Sequence, residues 1–264
     1  MEYFEFFLYG LIQGLTEFIP VSSTAHLKVI SLLLGINDPG SSLSAVIQLG
    51  SILAVICYFK NDFLKIYVRK KYIDYLFNKK LIRSIFIGTI PIVLFGGGLK
   101  LFSPIFFEKI LRSNLTIAIV SFVMAFYMYV ADSSKKNYIN IKNHNYSDSF
   151  LIGFSQAFAV IPGVSRSGVT ISTALLTGWE RIDAIKFSFL LGLPAITLAA
   201  VVELITSFND LLLVSFLPLL TGISTAFLSS LFAIDFLIKY LPSNGMSLFI
   251  FYRVIFGIVI LLNM

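Results

Sequence analysis

Two short stretches of this chain place ionisable and hydroxyl side chains inside apolar surroundings. The first, GLIQGLTEFIPVSSTAHL, covers residues 10–27, and the second, PGVSRSG, covers residues 162–168. An ionised group at the centre of a membrane span costs about 2.5–3.5 kcal/mol on an insertion scale, so such residues normally face a cavity and have partners. The polar groups of both stretches are therefore candidates for chemistry.

The first stretch offers a base, a cation ligand and several hydroxyl groups. Gln13 and Glu17 are four residues apart, which places both side chains on one face of a helix. Ser23, Thr24 and His26 follow after a proline. A carboxylate and an imidazole can exchange protons with a reacting group, and a hydroxyl can attack or orient water.

The second stretch has the composition of a phosphate-binding turn. Its glycines permit backbone conformations that direct successive N–H groups at one point, and the turn leads into a helix whose N-terminus favours anions. The guanidinium of Arg166 can fork onto phosphate oxygens. Ser165 and Ser167 flank it with hydroxyl groups.

Together the two stretches contain the groups that hydrolysis of a phosphoanhydride requires. A nucleophile must be activated, and the charge on the transferred phosphate must be neutralised. Glu17, with Gln13 or phosphate oxygens, could also hold a hard divalent cation such as Mg²⁺ or Ca²⁺. We therefore expect the two stretches to converge.

The composition indicates an integral membrane protein. Of the 264 residues, 57% are hydrophobic and 13% are charged, which leaves too little polar surface for a water-soluble domain of this size. The apolar runs are long and continuous, which favours helices over the alternating strands of a β-barrel. We predict an all-α membrane helix bundle that forms a single domain over residues 1–264.

The net charge of +6 requires no nucleic acid partner, because the excess basic residues concentrate in two segments, 60–83 and 135–142. Such segments are typical of cytoplasmic loops, and they can also contact anionic lipid. With these loops inside, the sequence predicts about six spanning helices. They lie near residues 41–59, 84–103, 114–131, 184–206, 211–238 and 248–264.

Two further stretches, residues 6–35 and 149–178, are too long and too interrupted to be simple spans. Each is broken by proline and hydroxyl residues, which predicts a re-entrant helical hairpin. The stretches also resemble each other: Gly10, Gln13 and Pro20–Ser23 match Gly153, Gln156 and Pro162–Ser165 after a one-residue shift. Each half, about 1–131 and 149–264, then holds a hairpin and three crossings, which predicts an inverted repeat joined by a basic loop.

The motifs QGLTEFIPVSSTAH, AVIQLGSILAV and PGVSRSG, in this order, closely resemble the undecaprenyl-diphosphate phosphatase family of the bacitracin-resistance type. The resemblance covers essentially the whole chain. It implies removal of the terminal phosphate from undecaprenyl diphosphate, which recycles the lipid carrier of cell-wall synthesis. It also implies dependence on Mg²⁺ or Ca²⁺ and an active site that opens to the outer face of the bacterial cytoplasmic membrane.

The resemblance assigns roles to individual residues. The family's metal and base motif falls on Gln13 and Glu17, where many members have a glutamate at the first position, so this chain has one carboxylate fewer. Its serine, threonine and histidine fall on Ser23, Thr24 and His26. The remaining matched positions, assigned to substrate binding, are Gln48, Ser165, Arg166 and Ser167.

Two questions stay open at this point. For the attack on phosphorus, the first alternative has Ser23 as the nucleophile or as the group that positions water, with Glu17 and His26 in acid/base roles and Arg166 clamping the phosphate. In the second, His26 attacks directly and forms a phosphohistidine. The alternative function is a transporter or flippase for an anionic polyprenyl phosphate lipid, because inverted repeats with broken helices are also a transporter architecture. The expected partners are the polyprenyl diphosphate substrate and membrane lipid, and a homo-oligomer is compatible with the sequence.

Overall fold

The computed structural model describes residues 2–60, 79–102, 110–134, 138–211 and 214–263. Within these ranges the chain is helical, and its β-structure is limited to an isolated bridge between Ile139 and Trp179. The all-α prediction is therefore confirmed for the described residues. In chain order the helices are α1 Glu2–Phe18, α2 Ser23–Leu34, α3 Gly40–Tyr58, α4 Lys79–Phe102, α5 Asn114–Asp132, α6 Tyr146–Ala157, α7 Arg166–Thr177, α8 Arg181–Thr206, α9 Phe208–Leu211, α10 Phe216–Asn244 and α11 Ser247–Leu262.

The described helices include four that are long and apolar enough to cross a membrane, namely α3, α5, α8 and α10. The prediction of a span at 211–238 is wrong in its limits. Residues 208–211 form the separate short helix α9, and α10 continues to Asn244. In this longer helix the exposed Lys239 ammonium pairs with Asp235 one turn earlier, at 2.6 Å. It ends at Gly245, whose φ of 70° takes the backbone out of the helical region.

The outward faces of the long helices are apolar. Phe86, Phe126 and Phe232 are 69%, 69% and 65% exposed, while hydroxyl and amide side chains are buried inside the bundle. A water-soluble protein rarely exposes so much contiguous apolar surface. The fold is therefore that of a multi-pass helical membrane protein. Most of the predicted basic loop at 60–83 lies outside the described residues.

Two pairs of helices occupy the stretches that were predicted to be re-entrant hairpins, and we call them the first and the second hairpin. In the first, α1 and α2 are joined by a turn that contains Pro20, and in the second, α6 and α7 are joined by a 3₁₀ turn, Phe158–Val160, and a loop. Among the described residues, Ser22 and Ser165 alone combine a side chain with a positive φ, 79° and 68°. Each immediately precedes the second helix of its hairpin.

These dihedral angles favour a different register for the predicted internal repeat. The sequence comparison paired Ser23 with Ser165 through a one-residue shift. The backbone instead makes Ser22 equivalent to Ser165, so the offset of 143 that relates Gly10 to Gly153 continues without a shift. Ser23 is then the counterpart of Arg166, because each is the first residue of its helix.

Contacts join the flanks of each helix pair. The Tyr9 hydroxyl donates to the Asn37 carbonyl at 2.6 Å, which ties α1 to the segment after α2. The bridge between Ile139 and Trp179 ties the segment before α6 to the segment after α7.

The hairpins are held by close contacts between glycine-containing helices. A Cβ atom added to Gly10 of α1 would lie 2.2 Å from the Gly222 carbonyl oxygen of α10. One added to Gly153 of α6 would lie 2.1 Å from the Gly88 carbonyl oxygen of α4. The absence of side chains lets the backbones approach, and this fixes the first helix of each hairpin against a long helix of the other half.

Candidate active site

The turns of the two hairpins meet inside the bundle. The Gly163 amide donates to the Ser22 hydroxyl at 3.2 Å, and the Ser167 hydroxyl donates to the Ile19 carbonyl at 3.3 Å. Arg253 of α11 joins the same two turns by donating to the carbonyls of Pro20 and Gly163. Residues that are far apart in the sequence are thereby brought to one place.

The Glu17 carboxylate lies at the centre of this meeting point. Its Oε1 accepts from Nη2 of Arg166 at 3.2 Å, and its Oε2 accepts from the Ser23 hydroxyl at 2.8 Å and from the Gln13 amide at 2.9 Å. The Glu17 and Arg166 side chains are only 5% and 9% exposed. Among the sequence candidates, the structure thus brings together Gln13, Glu17, Ser23 and Arg166.

Arg166 is held in position by α8. Its Nη1 donates to the Ser188 carbonyl at 3.2 Å. The guanidinium lies over Gly192, where an added Cβ would be 1.5 Å from Nη1. Its Nε is buried without a hydrogen-bond partner among the described residues. An unpaired donor in the interior is costly, so this N–H is a ready contact for an anionic ligand.

Ser165 and Ser167 shape the turn around Arg166. The Ser165 hydroxyl accepts from the Gly168 amide at 3.2 Å and so caps α7. The Ser167 hydroxyl points toward the first hairpin, where it contacts the carbonyls of Ile19 and Glu17. The hydroxyl groups of these two serines therefore form hydrogen bonds with backbone groups of the turns.

His26 takes a different direction from Glu17 and Ser23. Its Nδ1 donates to the Ser22 carbonyl at 2.7 Å, because a carbonyl can only accept. Its Nε2 then accepts from the Tyr252 hydroxyl, also at 2.7 Å. The ring stacks on Phe256 with centroids 4.2 Å apart. Both ring nitrogens are thus engaged away from the carboxylate.

Two other candidates lie outside the Glu17 cluster. Thr24 is exposed on α2, and its hydroxyl is 3.3 Å from the Ser22 hydroxyl. Gln48 is half-buried on α3 and is not among the residues bonded to Glu17 or Arg166. The structure therefore gives neither residue a direct contact with the carboxylate.

The sequence reasoning missed Arg253 and Tyr252. Arg253 is fully buried in the apolar run SLFIFYRVIFGIVILL and is bonded to backbone carbonyls, including Ser121 at 3.5 Å. The cost of placing an ionised group in a span, which identified Glu17, applies equally to this arginine. That signal was present in the sequence and would have found it.

The donor set around Glu17 fits a hard cation only in part. Within the described residues no group of three or more His, Cys, Asp or Glu side chains could enclose a metal ion. Glu17 with Gln13 and Ser23 supplies carboxylate, amide and hydroxyl oxygens. Such a set suits Mg²⁺, which commonly binds through one or two carboxylates together with phosphate oxygens and water. A site of this kind would depend on the substrate for part of its ligands.

Comparison with known proteins places these residues in a family. The model of the bacitracin resistance protein BacA matches residues 6–259. Two undecaprenyl-diphosphatases of Prochlorococcus marinus, from strains MIT 9301 and AS9601, are 69% and 70% identical to the chain over 266 residues. Both alignments cover 100% of this chain, and they cover 100% and 97% of the relatives. A third, from strain MIT 9313, is 48% identical over 96% of this chain and 86% of the relative. The chain therefore belongs to the family of the bacitracin resistance protein BacA.

Proposed function

We propose that this protein is a phosphatase that hydrolyses undecaprenyl diphosphate to undecaprenyl phosphate and inorganic phosphate. Relatives that match the chain along its whole length are named undecaprenyl-diphosphatases. The observation that carries the proposal is that one carboxylate, that of Glu17, accepts hydrogen bonds both from the Ser23 hydroxyl and from the cationic guanidinium of Arg166. A base, a nucleophilic or orienting hydroxyl and an anion clamp are what cleavage of a phosphoanhydride needs.

The chemical step uses these groups in turn. The Arg166 guanidinium donates hydrogen bonds to the terminal phosphate, and one of the donors is the Nε that has no partner among the described residues. The Ser23 hydroxyl, or a water that it orients, attacks the terminal phosphorus, and Glu17 takes the proton. The bond from that phosphorus to the bridging oxygen breaks, and undecaprenyl phosphate leaves with the bond's electrons. If Ser23 attacks, water hydrolyses the phosphoserine in a second step.

We assign His26 to positioning rather than to attack. A phosphohistidine would require a ring nitrogen facing the substrate, whereas both nitrogens are bonded to Ser22 and Tyr252. By fixing the Ser22 carbonyl, His26 supports the turn from which Ser23 projects. This favours the Ser23 route over the phosphohistidine route.

We further propose that Mg²⁺ or Ca²⁺ assists the reaction, held by Glu17 and Gln13 together with phosphate oxygens. Such a cation, when bound, neutralises negative charge on the transferred phosphate. The oxygen-rich donor set supports this assignment, and the missing second carboxylate predicts weak binding in the absence of substrate.

The membrane topology we propose is an inverted repeat of two re-entrant hairpins that open to opposite faces of the bacterial cytoplasmic membrane. The contacts that join the flanks of each helix pair support it, as do the matching positive φ angles of Ser22 and Ser165. The basic segments 60–83 and 135–142, which are typical of cytoplasmic loops, support a cytoplasmic opening for the second hairpin. The first hairpin then connects the site to the outer face.

The test is phosphate release from undecaprenyl diphosphate by the purified protein in detergent, with Mg²⁺ or Ca²⁺ and with EDTA. We expect release by the wild type, strong inhibition by EDTA, and loss of activity in Glu17→Ala and in Arg166→Ala. No release by the wild type, or full activity in both variants, would reject the phosphatase. Lipid movement measured in vesicles would then support the transporter alternative.

A further inference from the structure

One buried amide of the second hairpin plays no part in the proposed mechanism. Gln156 lies near the end of α6 and is 0% exposed. Neither its Nε2 nor its Oε1 has a hydrogen-bond partner among the described residues. A buried amide in this condition lowers the stability of the fold, because the hydrogen bonds that it made with water in the unfolded chain are not replaced. A ligand that supplies the missing partners is one reason to retain such a group.

The predicted internal repeat pairs Gln156 with Gln13. Each glutamine lies three positions after a glycine at which its helix packs closely on a long helix, Gly10 in α1 and Gly153 in α6. Both glutamines are buried. The Gln13 amide has a partner, because its Nε2 donates to the Glu17 carboxylate at 2.9 Å. The two amides therefore occupy equivalent places in the two hairpins but differ in what they bind.

In the first hairpin the amide and the first residue of the second helix share one acceptor. Gln13 and Ser23 both donate to Oε2 of Glu17, at 2.9 Å and 2.8 Å. The equivalent pair in the second hairpin is Gln156 and Arg166, because Ser23 and Arg166 each begin the second helix of their hairpin. We therefore expect the Gln156 amide to face the Arg166 side chain.

Packing around α6 is consistent with this placement. Gly88 of α4 contacts α6 one turn before Gln156, and a Cβ added to Gly88 would also lie 2.8 Å from Cδ1 of Leu191 in α8. The next residue of α8 is Gly192, and a Cβ added there would lie 3.0 Å from Nε of Arg166. Helices α4, α6 and α8 thus meet beside the guanidinium.

The position equivalent to the carboxylate is apolar in the second hairpin. Val160 stands there, at the same offset of 143 from Glu17, and its Cγ2 would be 3.6 Å from a Cβ added to Gly96 of α4. The Nε of Arg166 and the Nε2 of Gln156 are both buried donors without a partner among the described residues. An anionic oxygen from a ligand is the acceptor that suits both donors.

We propose that Gln156 binds a phosphate oxygen of the substrate together with Arg166. This oxygen accepts from Nε2 of Gln156 and from Nε of Arg166, as the Glu17 carboxylate accepts from two donors in the first hairpin. The Oε1 of Gln156 accepts from a protonated phosphate oxygen or from water. Two sources share this chemistry, the diphosphate head group of the lipid and released inorganic phosphate. The inference rests on the proposed phosphatase function and adds a substrate-binding residue to it.

The experiment compares the wild type with Gln156→Met, Gln156→Glu and the control Ser155→Ala. Methionine is close to glutamine in size but has no amide, and glutamate places a negative charge where the anion binds. Ser155 is the neighbouring residue on α6, and its hydroxyl already donates to the Ile152 carbonyl at 2.7 Å. The measurements are KM for undecaprenyl diphosphate, the melting temperature in detergent, and the rise in that temperature produced by inorganic phosphate, which needs no turnover.

We expect Gln156→Met to raise KM about tenfold with kcat changed less than about threefold, because a hydrogen bond to a charged group is lost from substrate and transition state alike. Inorganic phosphate should raise its melting temperature less than that of the wild type. Without ligand, Gln156→Met should melt no lower than the wild type, because an unpartnered amide has been removed. Gln156→Glu should raise KM further through repulsion of the anion, and Ser155→Ala should leave KM unchanged.

An unchanged KM together with an unchanged response to phosphate in Gln156→Met would overturn the proposal and assign the amide to a buried water. A change in KM alone identifies the lipid head group as the source of the oxygen, and a change in the phosphate response alone identifies the released phosphate. If the wild type releases no phosphate but its response to phosphate depends on Gln156, the phosphatase assignment fails and the anion contact stands.

Discussion

Glu17 and Arg166 are separated by 149 positions in the sequence, yet their carboxylate and guanidinium lie 3.2 Å apart in the interior of the bundle. One residue belongs to the helix that enters the first hairpin, and the other begins the second helix of the second hairpin. Their contact defines the candidate site, because every group bonded to the carboxylate or to the guanidinium can act on the same ligand.

Replacing Glu17 with Gln should abolish most of the activity. The change keeps the size of the side chain but removes the proton acceptor for Ser23 and leaves the Arg166 charge unpaired. We expect kcat to fall by about 10²–10³, in the range seen when one stabilising group is removed from an active site. The measurement is phosphate release at saturating substrate. A thermal melt in detergent serves as the control, because breaking a buried ion pair can also cost about 3–5 kcal/mol of stability.

Replacing Arg166 with Lys should also be severe, although the charge is retained. A lysine cannot donate to Glu17, to the Ser188 carbonyl and to a phosphate with the planar fork that the guanidinium provides. We expect kcat/KM to fall about 100-fold, the loss of nearly 3 kcal/mol of transition-state stabilisation. Activity within a factor of three of wild type would show that charge alone suffices.

Gly192 should be needed for the placement of Arg166 rather than for the helix itself. Alanine is a better helix former than glycine, so Gly192→Ala should favour α8 locally. The added Cβ would nevertheless lie 1.5 Å from Nη1 of Arg166 and must displace the guanidinium. We expect activity to fall at least tenfold. The matched control is Gly98→Ala in α4, where no atom of the described residues lies within 4 Å of the added Cβ and activity should be unchanged.

Arg253 should hold the two hairpin turns together. Its substitution by Met would leave the carbonyls of Pro20 and Gly163 without their donor, at a cost of about 1–3 kcal/mol for each buried group. We expect a lower melting temperature and reduced kcat. Tyr252→Phe removes only the hydrogen bond to His26, so it should lower the free energy of unfolding by about 1 kcal/mol. Equal melting temperatures for wild type and Arg253→Met would remove Arg253 from this role.

His144 should make stability depend on pH. Burial lowers the pKa of this imidazole below its ordinary value of 6.5, and the charge of Lys80 acts in the same direction. The unfolded chain therefore binds the proton more readily than the folded chain, and stability is lost as pH falls below 6.5. The measurement is thermal unfolding in detergent from pH 8 to pH 5. His144→Gln should flatten the profile, and an unchanged slope in that variant would assign the pH dependence to other groups.

The sequence was informative where a physical cost applies to a single residue. An ionised Glu17 in an apolar stretch needs a partner, and Arg166 in a second such stretch has the same need, which led to the expectation that the stretches converge. The same cost applied to Arg253 but was not used. The helical character of the chain followed from its continuous apolar runs. The main error in helix limits lay at α10, which begins at Phe216 and ends only before Gly245.

The direction in which each side chain of the site points could not be predicted from the residue types. Ser23 begins α2, and its hydroxyl turns back to Glu17, whereas His26 one turn later packs against Tyr252 and Phe256 of α11. That choice depends on a helix far along the chain. The register of the predicted repeat could not be read from the sequence either. The residue types match best with Ser23 opposite Ser165, whereas the positive φ angles pair Ser22 with Ser165.

The most direct test of the account is a double-mutant cycle on phosphate release from undecaprenyl diphosphate, with wild type, Glu17→Gln, Arg166→Lys and the double variant measured side by side. Because the two residues act as one unit, the double variant should lose little more kcat/KM than the more severe single variant. Losses that multiply would show that Glu17 and Arg166 act independently, and a wild type that releases no phosphate would contradict the account outright.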